Sequence, residues 1–280
     1  MTTVVIGARG AVGRHVVEGL LAGGEHVRAS VRNLATADFP AAVEVVQADL
    51  ADPDSITRAL AGADRLFLYA PEKGAAGVAE TIRRAGTGHV VVLSSGSVLL
   101  PWAVAGNAIA AEHDEMERAL AGCAPRVTPI RPLVLAGNAL NWARSIRRDR
   151  TVELVHPESR SAPVHEADIA AIAVAALTGS AAADPSGLLT GPEVLTQRRQ
   201  AELIGEALGE PIHVEEIDEH RAREKFGAAG DPATVDAILA FIARNRRDGE
   251  SPATPVAREV LGREPLSFAR WARDHVGDFR

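Results

Sequence analysis

The sequence predicts an α/β protein, a Rossmann-type doubly wound parallel sheet followed by a smaller carboxyl-terminal α/β lobe. Three observations carry that expectation. Short β-branched, apolar runs alternate with segments of helical period through residues 1–150; a glycine-spaced turn joins the first run to the first helix; and the pattern becomes irregular afterwards.

Thr2 to Ile6 is apolar, β-branched and closed by glycine, as suits a strand buried on both faces of a parallel sheet. Val12, Val16, Leu20 and Leu21 then recur at helical spacing until Gly23 and Gly24 stop the helix. Further strands are expected at Val27 to Val31, Val43 to Val46, Arg65 to Tyr69, His89 to Leu93 and Val127 to Ile130. Helices fall between them at Ser55 to Ala61, Ala75 to Ala85 and Ala108 to Leu120, the first opened by Asp52, Pro53 and Asp54. Such alternation implies right-handed parallel crossovers.

After residue 150 the expected elements are an alanine-rich helix at Asp168 to Leu177, a short strand at Leu188 and Leu189, and a helix at Gln197 to Leu208 ended by Gly209. Ser180 to Gly187, Gly227 to Ala233 and Asp248 to Pro255 read as loops from their glycine, proline, serine and aspartate content. The expected division is residues 1–150 as the nucleotide-binding domain, with 163–180 packing back onto it, and 151–280 mainly as a substrate lobe.

The composition narrows the function. With 46% hydrophobic residues in 280, the chain has enough apolar material for a full core. Its 30 basic and 37 acidic residues give a formal charge of −7, which argues against nucleic acid or an anionic membrane as partner. A small molecule is the expected partner; oligomeric state is not readable. Cys123 is the single cysteine, so neither an intrachain disulfide nor a cysteine-built metal site is available. No apolar run approaches membrane-spanning length, and a reducing cytoplasm is the expected location.

Gly7, Gly10 and Gly13 form GxxGxxG at the first strand-to-helix turn. A diphosphate needs a tight turn there, backbone free of side chains and a helix packed close to its strand. The helix amino terminus then offers free N–H groups and its positive dipole end. Gly7, Ala8, Arg9, Gly10, Ala11, Val12 and Gly13 are therefore candidate dinucleotide contacts. After the second strand comes Arg32 with no carboxylate beside it, which suits a ribose 2′-phosphate better than a free hydroxyl. NADP(H) is expected over NAD(H), with Arg32 and Arg9 on the phosphate. Asp49 is placed for the adenine amino group, with Leu50 beside it; the bland alternative makes Asp49 the start of the turn to Pro53.

Gly7 to Gly13, Val31 to Asn33, Asp49 with Leu50, Ser94 with Ser95, His113 to Glu117, Arg131 with Pro132, and Val164 to Ala170 together resemble the NmrA-like family of atypical, extended-type short-chain dehydrogenase/reductases. The resemblance spans essentially the whole chain, including Leu261 to Phe268. It implies an NADP-binding Rossmann domain, a small substrate lobe, and a reductase or redox-sensing role.

Ordinary members of that superfamily use a tyrosine and a lysine four residues later on one helical turn, the ammonium lowering the phenol pKa. Here Tyr69 and Lys73 have that spacing, but Tyr69 ends a strand and Pro71 intervenes, so the match is a decoy. Aligned on His113 to Glu117, the lysine position holds His113 and the tyrosine position Ile109. Without that relay, quinones, iminium ions and enones are easier acceptors than simple ketones, because hydride addition leaves a delocalised or neutral product. The expected activity is NADPH-dependent reduction of such a substrate. A cofactor-binding redox sensor or a cofactor-retaining isomerase are the alternatives.

Position supplies the remaining candidates. Ala70, Pro71, Ser94, Ser95, Leu133 and Val134 follow strand ends, where ligands of such sheets bind. His113 and Ser95 are the candidate catalytic groups, His113 also a substrate anchor. Trp102, Asn138 and Trp142 are candidate substrate walls, whereas Trp271 reads as core. His113 with Glu117, or His165 with Asp168, lacks the further partners a metal needs, and Asp168 reads as a helix cap. Cys123 follows a helix end, where a raised pKa disfavours a nucleophile. Neither GxSxG nor a Walker loop occurs.

Overall fold

Successive side chains of a strand point to opposite faces, and each face of the main sheet has its own core. Val4, Ile6, Leu66, Leu68, Val90 and Val92 enter one apolar cluster; Val5, Phe67 and Val91 enter the other. The strands are β1 (Thr2–Val5), β2 (His26–Val31), β3 (Glu44–Gln47), β4 (Arg65–Tyr69), β5 (His89–Leu93), β6 (Arg126–Pro132) and the two-residue β9 (Leu188–Leu189). They pair in the order β3-β2-β1-β4-β5-β6-β9, parallel throughout. The order reverses between β1 and β4, which opens a crevice at the carboxyl ends of those strands. The computed structural model describes residues 1–69, 74–100, 106–227, 231–246, 251 and 253–280.

The helices α1 (Ala11–Ala22), α2 (Pro53–Leu60), α3 (Ala75–Ala85), α4 (Ala108–Leu120) and α6 (Glu166–Thr178) flank this sheet. One face is covered by α2, α3 and α4 through Ile56, Leu60, Val78, Ile82, Met116 and Leu120. The other is covered by α1 and α6, whose Val12, Val16, Leu20, Ile169, Ile172 and Ala176 share one cluster. Each such fully buried aliphatic chain stabilises the fold by about 1.5–3 kcal/mol relative to exposure. The opening of α2 follows its sequence signal: the Asp52 carboxylate accepts from Asp54 N and Ser55 N, and Pro53 stands at the first helical position.

The second half contains more structure than its irregular pattern predicts. α5 (Ala143–Asp149) leads into β7 (Thr151–Leu154), which pairs in parallel with β11 (His213–Glu216); α7 (Gln197–Leu208) and α11 (Phe268–Asp274) pack beside them. Trp271 lies fully buried in this cluster with Phe268 and Phe279, the core position its sequence context predicts. β8 (Arg160–Ser161) and β10 (Leu195–Thr196) form a separate antiparallel pair. α8 (Glu219–Gly227) and α9 (Pro232–Arg244) close over Val155 and Ile217 with Ala222, Val235 and Leu239. α10 (Val256–Leu261) returns to α6 and the first core through Ala257 and Val260.

Two expectations are corrected here. Pro232 and Ala233 are not loop: Asp231 caps α9 by accepting from Ala233 N and Thr234 N. Asp168 is not the cap of α6 either; His165 holds that position, its Nδ1 accepting from Ala167 N at 3.1 Å. Asp168 instead lies fully buried within the first turn, where Arg263 Nη2 (2.7 Å) and Leu266 N (2.5 Å) donate to its two oxygens. Its neighbour Glu166 is also buried and meets His275 Nε2 at 2.5 Å. These carboxylates tie the last twenty residues to the helix that packs on α1.

Candidate active site

The turn between β1 and α1 is built for close approach. Gly7 has φ +80°, a conformation that L side chains avoid, and its carbonyl accepts from Gly10 N at 2.9 Å. Gly10 starts α1 with no side-chain cap, and no acidic residue lies in the first helical turn. The first N–H groups of an α-helix have no partner within it, so here they are left for an external acceptor. A β-carbon on Gly13 would lie 2.1 Å from Gly7 O, so only glycine lets the helix seat against the turn. The uncapped terminus and these close approaches fit a dinucleotide diphosphate. Within this segment Ala8 and Val12 face the core, while Arg9, Gly10 and Ala11 face solvent.

Tyr69 closes one side of this turn. It ends β4, is 40% exposed, and its ring occupies the space where a Gly7 side chain would be, 2.6 Å from an ideal β-carbon. Ala70 and Pro71, expected at the cofactor, and Lys73 lie outside the described residues, as does Trp102.

Arg32 is exposed just beyond β2, and its guanidinium has no hydrogen-bond or ion-pair partner among the described residues. Asn33 caps the short turn that follows by accepting from Ala35 N. Asp49 is exposed, and one carboxylate oxygen accepts from Ala51 N at 3.0 Å, the turn role its bland reading assigns. Its backbone N–H donates to Ser55 Oγ, which fixes the segment, and Leu50 packs against the sheet core.

Of the two serines after β5, Ser94 is committed inward. Its hydroxyl donates to Glu117 Oε1 (2.6 Å), and Glu117 is gripped by Arg131 through Nε (2.9 Å) and Nη2 (2.5 Å). Arg131 also donates to Ser186 O at 2.6 Å, so this network locks α4 to β6. Ser95 turns the other way: its hydroxyl meets Ser97 Oγ at 2.8 Å, and both line a cavity of about 330 Å³ beyond the strand ends. Leu133, Val134 and Leu135 form its floor, pinned by Leu133 N to Leu189 O (3.0 Å) and Val164 N to Val134 O (2.8 Å). Asn138 and Trp142 line it as well.

The start of α4 supplies another wall through Asn107 and Ile109. Asn107 Oδ1 accepts from Ala110 N, which leaves the amide NH₂ to donate elsewhere. His113 sits one turn further along, outside this lining; its Nδ1 lies 2.8 Å from Ile109 O and, facing a carbonyl, donates to it. Among the described residues the lining contains no Asp, Glu, His, Cys, Tyr or Lys, and Arg160 is its one ionisable side chain.

Sequence reasoning missed the far walls: Ser159, Ser161, Gln197, Gln200, Phe226, Ile238 and Phe241 reach the cavity from the carboxyl-terminal lobe. The helical spacing of Val235, Ile238, Leu239 and Ile242 was a usable signal for α9; nothing local marks the others. Among the described residues no group of His, Cys, Asp and Glu is arranged to hold a metal. Cys123 is buried, and it is burial that pushes its thiol pKa up.

Comparison with known proteins agrees with this geometry. A family model described as NAD(P)H-binding matches residues 7–180. Over 99% of its length the chain is 33% identical to the (4-alkanoyl-5-oxo-2,5-dihydrofuran-3-yl)methyl phosphate reductase of Streptomyces griseus, covering 98% of that protein. It is 26% identical to an NAD(P)H azoreductase of Xenophilus azovorans, covering 99% of this chain and 98% of the relative. Its fold is similar to that of an NADPH-dependent quinone oxidoreductase of Escherichia coli, with TM-score 0.75, 22% identity, and coverage of 97% and 98%. The chain belongs to the NAD(P)H-binding family. Within it, the chain is an NAD(P)H-dependent oxidoreductase, its 33% identical relative being a reductase matched over nearly the whole length. Among the described residues no helix is long and apolar enough to cross a membrane.

Proposed function

We propose that this protein reduces a small conjugated electrophile of the quinone, iminium or enone type with NADPH, and does so without a tyrosine–lysine proton relay. The observation that carries the reading is the lining of the 330 Å³ cavity, where hydroxyls and amides abound and, among the described residues, there is no Asp, Glu, His, Cys, Tyr or Lys. Reduction of a simple ketone makes a strongly basic alkoxide, which needs an acid in place. A quinone or a conjugated alkene instead spreads the charge over several atoms, and neutral hydrogen-bond donors suffice to hold it.

NADPH, when bound, supplies the hydride. The chain's residues bind and orient: the glycine turn and the amino terminus of α1 hold the diphosphate, and Arg32 with Arg9 hold the 2′-phosphate. Ser94 holds the end of β5 in place beside them. Ser95 and Asn107 are assigned to the substrate oxygen, Leu133, Val134 and Ile109 exclude water, and Asn138 and Trp142 wall the substrate. In this reading residues 1–150 carry the cofactor and most of 151–280 closes over the substrate.

The enone limb is favoured. The reductase of Streptomyces griseus is named for a 5-oxo-2,5-dihydrofuran carrying an alkanoyl group. The ring double bond of such a compound is conjugated with two carbonyls, so hydride addition leaves an enolate delocalised over both.

The test is NADPH oxidation by purified protein offered α-alkanoyl butenolides, quinones and cationic imines. Turnover of one of these, with simple ketones inert, is the expected result. NADPH binding without turnover of any acceptor overturns the catalytic reading and favours a sensor. His113→Gln is expected to change kcat less than about tenfold, since a general acid contributes about 10²–10⁴-fold. A loss of that larger size returns His113 to the proton-donor role.

A further inference from the structure

A second and larger cavity, of about 650 Å³, adjoins the first in the carboxyl-terminal lobe. Asn141, Trp142, Gln197, Phe226 and Ile238 line both, so the two spaces abut at these side chains. The larger space lies against two apolar clusters, meeting Val152 and Leu154 of β7 on one side and Ile217 and Val235 on the other. The acid that borders it is already matched: Glu153 accepts from Lys225 and Arg221, and these hydrogen bonds hold its carboxyl below the usual range.

Resting on the reading above, we infer that this cavity is a subsite for an unbranched acyl or alkyl tail of the substrate. The electrophilic ring sits at the strand ends and the tail extends past Trp142. Each argument for the occupant is physical. The space is about twice the size of the ring cavity and shares Asn141, Trp142, Gln197, Phe226 and Ile238 with it, more room than a compact substrate fills. Its walls are mainly apolar, Val152, Leu154, Val155, Ile217, Val235 and Ile238 among them, with Arg144 exposed and Ser145 and Thr234 also bordering it, and apolar surface of this kind gains free energy only when something apolar displaces water from it. A flexible chain entering from the ring end meets no unmatched charge at Glu153. A polar or charged extension would lose its hydration against Val152, Leu154, Ile217 and Val235 without recovering hydrogen bonds there.

The binding test avoids catalysis. Protein loaded with NADP⁺ is titrated calorimetrically with α-alkanoyl-γ-butyrolactones whose acyl chains run from two to ten carbons. Affinity is expected to rise by up to about fourfold per methylene until the cavity is full. Ser145 borders the larger cavity and not the smaller, and Ser145→Trp is expected to flatten that chain-length dependence. Affinities within about twofold across the unmodified protein's series overturn the subsite. So does a chain-length dependence that survives Ser145→Trp in a folded variant. A parallel NADPH-oxidation series with α-alkanoyl butenolides separates the two claims. Chain-length-dependent binding without turnover keeps the subsite and removes the reductase reading; turnover indifferent to chain length does the reverse.

Discussion

A methyl group on Gly13 has no room. An ideal β-carbon there would lie 2.1 Å from Gly7 O, 2.8 Å from Gly7 C and 3.1 Å from Ala8 Cα, all of them backbone atoms. No rotamer relieves the clash, so the turn and the helix must part by about 1 Å to restore ordinary contact. Overpacking of this kind costs about 1–3 kcal/mol of stability. The larger effect falls on the ligand. Hydrogen bonds to a charged acceptor are worth about 1.5–3 kcal/mol, so Gly13→Ala, by moving these donors, is expected to weaken NADPH by roughly 10- to 100-fold. Calorimetric titration measures this, with circular dichroism to establish that the variant is folded. Gly10→Ala is the graded comparison, since its β-carbon would meet Gly7 O at 3.2 Å, and its loss should be much smaller. Gly77→Ala, in α3 with nothing within 4 Å, should leave binding unchanged. A folded Gly13→Ala protein that binds NADPH as tightly as the parent, or more tightly than Gly10→Ala, refutes the close-approach argument.

Three further outcomes follow from single residues. Arg32→Glu is expected to weaken NADPH by at least about tenfold while affecting NADH less, because only the former carries the 2′-phosphate; equal losses for both in titration would contradict the assignment. His89, at the start of β5, is buried and meets Thr128 Oγ1 at 2.9 Å; burial, with Arg126 and Arg65 nearby, lowers its pKa from 6.5 to about 4. Its neutral form is the native one, so its stabilisation is complete above pH 6.5 and is lost as pH falls toward 4, by about 3 kcal/mol in all. Denaturant unfolding across that window should show a shallower pH dependence in His89→Gln, and an unchanged slope would count against the argument. Asp168→Ala strands the Leu266 N–H and should cost about 1–3 kcal/mol, with faster proteolysis after α10; cleavage at the parent rate would show that the carboxylate does not anchor the terminal segment.

The sheet was legible because its strands are buried on both faces. A doubly buried strand reads as an unbroken apolar run, and the predicted ends of β4 and β5 agree with the structure to the residue. α3, α4 and α7 were equally plain, since helical period and terminal glycines or turn residues agreed. The same reasoning failed at α9, although Asp231 and Pro232 repeat the Asp52–Pro53 signal that opens α2. The glycines at 227 and 230 pulled the reading toward a loop. β7 and β11 were invisible for another reason. Each is four residues long, with two polar residues in β7 and three in β11, and the pair is defined by a partner about sixty positions away, which no local pattern encodes.

The candidate site was legible where backbone geometry imposes residue types, and obscure where side chains from distant segments converge. Glycine spacing marks the diphosphate turn because the turn tolerates little else. The His113 alignment shows a subtler limit. Residues four apart on a helix share a face, so Ile109 and His113 were correctly placed on one stripe of α4. A helical turn also advances about 5.4 Å along the axis, and only the residue nearer the strand ends reaches the cavity. Spacing thus gives the face and not the depth. That difference matters for the proposed chemistry, because Ile109 reaches the cavity while His113 lies outside its lining with Nδ1 on the isoleucine's carbonyl. On the function proposed above, a chain arranged in this way turns over acceptors that need no acid. Discrimination among them then falls to the lobe walls, where Phe226 and Ile238 lie more than a hundred residues from Ile109.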